Sequence, residues 1–385
     1  MRPKSPHYIF LFVVVAFLFA FSFLSVLKPD EQESTTENRD LTQFEAPTWS
    51  SILDGSWFSF LETYTKDQFF AREITLQSYN YLLDSIGVKE RNGYVMGVDS
   101  FVMSVQPSFV PESALKNIDL YGGSQVAAMA SIAESAESYG GTVIYLNVPH
   151  KIELFTEKYP DLYSNGEPFI TLRRNSIIEK AKSAGITVVE TYDLLESRKD
   201  EYIYYATDHH WTIRGAYYAY QALLEAINQS GPSVTLTYPA YEELDVTVNP
   251  NRVVGSYLRE LGDGGIVDVD YMEYAVPFDM PAYTRYDSGK LSSRPLYDTS
   301  IAGYSSFMGG NIANTVIDTD RDDLPSILYI GYSYTNPLEM MSVYNFNRVE
   351  SLDPRYWKGS ICDYVAESQP EYIVIVRDDL TSVNF

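Results

Sequence analysis

From Tyr8 to Leu27 the chain reads YIFLFVVVAFLFAFSFLSVL, a run in which only Ser22 and Ser25 are clearly polar. That length meets the roughly 20 residues needed to cross a hydrocarbon core and exceeds the roughly 7–15 of a cleavable signal's apolar stretch. We read it as one transmembrane anchor over residues 8–27, with a removed signal peptide as the competing reading. Arg2 and Lys4 precede the run, so residues 1–7 are expected in the cytoplasm and everything after Leu27 outside it. Residues 28–46, acidic and rich in Ser, Thr, Asn and Gln, bury too little apolar area to order themselves and are expected to form a tether.

Beyond the tether, bulky residues at helical spacing (Trp57, Phe60, Leu61, Tyr64, then Phe69, Phe70, Ile74, Leu76) predict two helices between Trp49 and Leu83. Asn92 to Ser104 predicts a hairpin turning at Gly97-Val98-Asp99. Helices and apolar strands then alternate. Helix Ser124–Tyr139 precedes strand Thr142–Val148, and helix Asn175–Ala184 precedes strand Ile186–Glu190. Helix Thr212–Asn228 is followed, much later, by strand Ser326–Ile330, and helix Ser360–Glu367 by strand Tyr372–Val376. Strands apolar on both faces that alternate with helices imply a mainly parallel sheet covered on both sides, an α/β sandwich. Residues 229–325 break the pattern with Pro, Gly, Tyr and Asp, and predict an irregular β-rich insertion.

Composition removes some functions. Across 385 residues, 28 Lys and Arg face 52 Asp and Glu, a net charge of −24 that repels a phosphate backbone, so no nucleic-acid partner is expected. The one cysteine, Cys362, excludes an intrachain disulfide and any site built from several thiolates. The 33 tyrosines offer amphipathic contact area suited to sugars, though their ordinary role is half-buried strand filler.

Ligands of open α/β sheets gather past the carboxyl ends of strands, and two segments there carry chemistry. In Ala206-Thr207-Asp208-His209-His210-Trp211-Thr212, residues i and i+2 of an extended stretch share a side. The Asp208 carboxylate can therefore accept the Nδ1 proton of His210, the orienting pair of an acyl-transfer triad. The plainer reading is a capped turn. A metal site would recruit Asp208, His209, His210 and His150, but no familiar zinc spacing is present, and neither metal nor cofactor is expected. The second segment runs from the strand Ser326–Ile330 through Gly331-Tyr332-Ser333 into a helix for which Asn336 can cap, with Pro337 at its first position and Glu339 as capping carboxylate. It leaves Ser333 at the strand mouth, near amides able to stabilise an oxyanion. Alone, it reads as a turn serine. A Gly-Asp-Ser imitation in Val98-Asp99-Ser100 falls in the hairpin and lacks the strand-to-helix setting of a nucleophile.

In order, these segments resemble the DHHW protein family, related to the alginate O-acetyltransferase type of SGNH-hydrolase-like protein. The resemblance runs through Glu37-Asn38-Arg39, Asp67-Gln68-Phe69-Phe70-Ala71-Arg72, the hairpin, and Val148-Pro149-His150-Lys151. It continues through Asp208-His209-His210-Trp211, Gly309-Gly310-Asn311, the strand into Ser333, and Leu352-Asp353-Pro354-Arg355-Tyr356. It implies a three-layer SGNH-hydrolase-like sandwich, with a helical and hairpin segment at 47–104 and a catalytic domain at 105–385. It also implies a Ser-His-Asp triad (Ser333 nucleophile, His210 base, Asp208 orienter) that passes an acyl group, usually acetyl, to a polysaccharide hydroxyl. Gly310, Asn311, Tyr332 and the Ser333 amide become oxyanion or substrate-binding candidates, and Arg355 a source of local charge there. An outer enzyme using acyl groups of cytoplasmic origin implies a multispanning acyl-exporting partner. Tyr332 stands where such proteins usually have Asp before the serine, which keeps a catalytically silent glycan-binding or scaffold protein in view. Water in place of a sugar would make the enzyme an acetyl esterase.

Overall fold

The computed structural model describes residues 6–34, 39–107, 111–163 and 166–378; Arg2, Lys4 and the Glu37-Asn38 pair fall outside them. The chain divides into two compact units, residues 1–92 with 258–267 and residues 93–257 with 268–385.

In the smaller unit, α1 (Pro6–Leu27) carries the expected apolar run, long and apolar enough over Tyr8–Leu27 to cross a membrane. The two expected helices are three: α2 (Trp49–Leu53), α3 (Ser56–Asp67) and α4 (Arg72–Ser85), because the chain turns at Asp54-Gly55 as well as after Asp67. The described part of 28–46 is not loose. Glu33–Ser34 pairs antiparallel with Arg39–Asp40, the Asp67 carboxylate accepts from Thr42 N and Oγ1 at 2.9 and 2.7 Å, and the Gln68 side chain bonds both N–H and C=O of Glu31. Side-chain hydrogen bonds fasten a segment too polar to be held by burial.

The larger unit opens with the expected hairpin, β1 (Tyr94–Met96) and β2 (Val102–Ser104), joined by a 3₁₀ turn at Val98–Ser100. There follow α5 (Glu112–Glu137), β3 (Thr142–Val148), α6 (Glu167–Ser183), β4 (Thr187–Glu190) and α7 (Ile213–Gln229). Next come β5 (Thr284–Asp287), β6 (Lys290–Ser292), β7 (Asn314–Asp318), β8 (Ser326–Ile330), α8 (Asn336–Ser342), β9 (Arg348–Leu352), α9 (Ile361–Ser368) and β10 (Tyr372–Asp378). One sheet runs in the order β6-β5-β7-β9-β8-β10-β3-β4. Its strands from β9 to β4 are parallel, and β7, β5 and β6 extend it antiparallel.

The period of two along the parallel strands fills two cores. Val143 and Tyr145 of β3, Leu328 and Ile330 of β8, and Ile373 and Ile375 of β10 meet Met129, Ile132, Ile178 and Val365 of α5, α6 and α9. Their alternates Ile144, Leu146, Ile327, Tyr329, Val374 and Val376 meet Ala216, Leu223, Leu338 and Met341 of α7 and α8. The expected α/β sandwich, a mainly parallel sheet covered on both faces, is borne out. Three readings change, the first being the helix expected from Asn175, which starts at Glu167 behind Gly166. The insertion at 229–325 is not merely irregular, since it supplies three strands to the main sheet and a second antiparallel pair, Asp245–Asn249 with Met272–Val276. The helix read from Ser124 starts at Glu112 and runs through Gly122-Gly123, because packing against α6 overrides the poor propensity of those residues.

Candidate active site

Because β3, β8, β9 and β10 are parallel, their carboxyl ends share one edge, bringing together Pro149-His150-Lys151, Gly331-Tyr332-Ser333, Asp353 and Asp378. The step from β8 into Ser333 needs Gly331, since a Cβ there would lie 2.8 Å from both Thr335 Cγ2 and the Val376 carbonyl. Ser333 opens a 3₁₀ turn, Ser333–Thr335, that leads into α8. Asn336, expected as cap, is instead the first helical residue. Thr335 takes the cap position, with its hydroxyl 2.5 Å from the Glu339 carboxylate.

At this edge three groups meet. His210 Nε2 lies 2.6 Å from Ser333 Oγ, and His210 Nδ1 lies 2.6 Å from Asp208 Oδ1. Asp208 and His210 are buried, and Ser333 is partly exposed. Asp208 also accepts from the His210 amide at 3.1 Å and, through Oδ2, from the Ser256 amide at 2.6 Å. Burial alone would raise its carboxyl. Charge interaction with His210 and His209, the His210 hydrogen bond and the Ser256 amide outweigh burial and hold it well below the ordinary carboxylate range.

The loop carrying Asp208 is tied down by Asp270, which no sequence motif announced, and by Lys151, which stood in the Val148-Pro149-His150-Lys151 segment without an assigned role. Asp270 accepts from the Ala206 and Thr207 amides, both at 2.7 Å. Lys151, fully buried, donates through Nζ to the carbonyls of Val102, Ala206 and Asp208 at 3.0, 2.5 and 2.9 Å. Burial pushes its ammonium down to about 7 against the pull of Asp270 and Asp208. Gly255 passes so close that a Cβ would sit 2.3 Å from the Thr207 carbonyl, which is how the Ser256 amide reaches Asp208. Tyr304, from the insertion, stacks on the His210 ring at 3.8 Å and 7°, and its hydroxyl accepts from Trp211 Nε1 at 3.0 Å. Among 33 tyrosines nothing local marked it.

Of the other expected residues, Gly310, Asn311 and Tyr332 line one recess with Thr335, Glu339 and Asp353. The Arg355 guanidinium lies 4.5 Å from the Tyr332 ring centroid and forks onto Asp353 at 3.0 and 2.6 Å, so its charge is already paired. Asp99 and Ser100 stay in the hairpin turn, with Asp99 2.6 Å from Lys158 Nζ. Ligand atoms of Asp208, His209 and His210 lie within 4.8 Å of one another, but Asp208 and the Nδ1 of His210 are spent on each other. His150 is not in that group: Nδ1 accepts from the Ile152 amide, Nε2 lies 3.2 Å from the Tyr257 hydroxyl, and burial lowers its pKa to about 4.

Known proteins match this chain in sequence and in fold. The family model of the SGNH hydrolase-like domain of acetyltransferase AlgX matches residues 122–262, which include Asp208 and His210 and stop short of Ser333. The probable alginate O-acetylase AlgJ of Pseudomonas syringae pv. tomato is 25% identical over 198 residues, 50% of this chain and 48% of that protein. The chain thus spans about half the length of the curated relative it matches. A DHHW family protein from Eubacterium siraeum superposes with a TM-score of 0.61 at 20% identity, covering 77% of this chain and 94% of that one. Bacillus cereus PatB1, solved with a sulfonyl adduct, gives 0.62 at 14% identity over 77% and 98%. The resemblance to DHHW and alginate O-acetyltransferase-type SGNH-hydrolase-like proteins is therefore borne out, by a family match over residues 122–262 and by a fold shared across about three quarters of the chain.

Proposed function

We propose that this chain is a membrane-anchored, extracytoplasmic O-acyltransferase that moves an acyl group, acetyl by analogy with its relatives, onto a polysaccharide hydroxyl. The observation that carries the reading is the run of two 2.6 Å contacts from Asp208 through His210 to Ser333. The family match to an acetyltransferase domain and the alginate O-acetylase relative support the acetyl group.

Ser333 Oγ attacks the donor's acyl carbon while its proton passes to His210 Nε2, and Asp208 holds the imidazolium through Nδ1–H. The carbonyl oxygen becomes an oxyanion, received by the Ser333 amide, with Gly310 and Asn311 in the adjoining recess as further donors. Collapse breaks the bond to the leaving group, which takes the proton from His210, and leaves an acyl ester on Ser333. A sugar hydroxyl then attacks this ester, gives its proton to His210, and departs acylated as Ser333 recovers its proton. Tyr332 in place of the usual Asp leaves the Ser333–His210 contact intact, which favours an active enzyme over a silent glycan binder.

On this reading residues 8–27 anchor the protein and a multispanning partner supplies acyl groups across the membrane. The experiment is acetyl release from an activated ester, with and without an oligosaccharide acceptor, combined with sulfonyl fluoride labelling. PatB1, of similar fold, carries a sulfonyl adduct. Labelling at Ser333 and acetylated oligosaccharide are expected; acetate alone, whatever the acceptor, makes the protein an esterase. No labelling and no release overturns the reading.

A further inference from the structure

We propose that the loop Phe69-Phe70, between α3 and α4, is a second membrane-inserted element, seated in the acyl region of the outer leaflet beside the anchor. The proposal rests on the anchor reading and adds to it a lipid contact made by the folded outer region.

The geometry lies within the smaller unit. The ring of Phe21 is 5.8 Å from that of Phe69 and 5.9 Å from that of Phe70. Phe21 precedes Leu27, the end of α1, by six residues. At a rise of 1.5 Å per residue that is roughly 9 Å below the outer end of the apolar run, and half a hydrocarbon core is about 15 Å. Side chains level with Phe21 therefore sit among lipid tails. Backbone polar groups at that depth need partners within the protein. Here the Phe70 amide donates to Ser25 Oγ at 2.8 Å, and that hydroxyl donates to the Phe21 carbonyl at 2.8 Å. Ser25, one of the two clearly polar residues of the run, is thereby spent on holding this loop against the helix.

Charged and amide groups form a belt just above the phenylalanines. Lys28 pairs with Glu31 at 3.0 Å, Tyr64 donates to Asp30 at 2.9 Å, Gln68 bonds Glu31, and Arg72 pairs with Glu73 at 2.9 Å. The chain thus changes from polar at Asp67-Gln68 to aromatic at Phe69-Phe70 and back to charged at Arg72-Glu73, with Phe70 still 37% exposed. The exposed Phe70 continues the lipid-facing surface of α1, which argues for lipid as its occupant rather than a protein partner. Two phenylalanines dipping below a ring of charged and amide groups match the physics of interfacial anchoring.

The test uses the full chain reconstituted in vesicles of phosphatidylcholine and phosphatidylglycerol, with Cys362→Ser and one cysteine introduced at a time for an environment-sensitive fluorophore. The positions are Leu18→Cys in the anchor, Phe70→Cys or, should that disturb the loop, Phe69→Cys, and Leu291→Cys on β6, which is 75% exposed. We expect the loop label to be quenched at least threefold more by shallow spin-labelled lipid than the label at 291, and to be shielded from iodide. A loop label as open to iodide as that at 291, while position 18 stays shielded, overturns the proposal and leaves the anchor standing. Shielding from iodide without quenching by lipid means the loop is covered by protein and overturns it too. A label at 18 open to iodide removes the anchor and the proposal together.

Discussion

The ring of Tyr304 lies flat on the imidazole of His210, centroids 3.8 Å apart and planes 7° from parallel, while the Tyr304 hydroxyl accepts from Trp211 Nε1. The stack closes one face of the imidazole and leaves both nitrogens in the ring plane for Asp208 and Ser333. Tyr304→Ala is expected to lower kcat/KM for an acetyl ester about 2- to 12-fold, the equivalent of the roughly 0.5–1.5 kcal/mol such stacks contribute. Tyr304→Phe keeps the ring and loses only the indole bond, so its kcat/KM should stay within about threefold of the parent. Equal losses in both variants would show that the hydroxyl, and not the stack, positions the base.

On the proposed mechanism Ser333→Ala and His210→Ala should each abolish ester turnover, and the double variant should be no worse than either, since groups that act as one unit lose their effect together. Asp208→Asn keeps the shape but donates where a carboxylate accepts, turning the imidazole to the wrong tautomer. A fall of ~10⁴ in kcat is expected. Steady-state kinetics on an activated acetyl ester measure all four variants, and additive losses would contradict a shared mechanism.

Gly255→Ala places a methyl group 2.3 Å from the Thr207 carbonyl and 2.5 Å from the Asp208 amide, so the loop must move. A displacement of about 1 Å at a catalytic group costs on the order of 10²-fold in rate. The expected outcome is a loss of that order in kcat with the circular dichroism spectrum unchanged. Full activity would mean that the contact between Gly255 and Thr207 is slack in solution.

His150 is buried with its pKa lowered to about 4, while in an unfolded chain it titrates near 6.5. Between these values the unfolded state binds the extra proton, so stability is complete above about 6.5 and declines as pH falls toward 4. The decline is at most about 3 kcal/mol. Asp208, held below the ordinary carboxylate range, contributes stability that is lost only in more acidic solution. Thermal melts from pH 7 to 4 should therefore slope downward in the parent and less steeply in His150→Gln, the half-buried His209, whose pKa burial lowers to about 3, keeping the remainder; identical slopes would place the acid sensitivity elsewhere.

Sequence alone determined the features that short-range periodicity sets. It marked the apolar run of α1, the two-faced strands β3, β8 and β10 and hence the parallel core, and Ser333 at the mouth of β8; it also paired Asp208 with His210, although the two meet in a bend closed by the His210 amide on Asp208 and not in the extended stretch expected. Each is written in residues a few positions apart, where backbone geometry translates spacing directly into facing. The tertiary structure decided the rest. Ser333 and His210 are 123 positions apart and meet only because parallel strands bring their ends to one edge. Tyr304, Asp270 and the buried Lys151 hold the site through bonds to segments remote in sequence, and β5 to β7 found their places only by pairing outward from β9. Tyr304 and Asp270 leave no local trace, because a single tyrosine or aspartate has the same intrinsic preferences whether it meets the Asp208 loop or open water. Packing and long-range hydrogen bonding make that distinction.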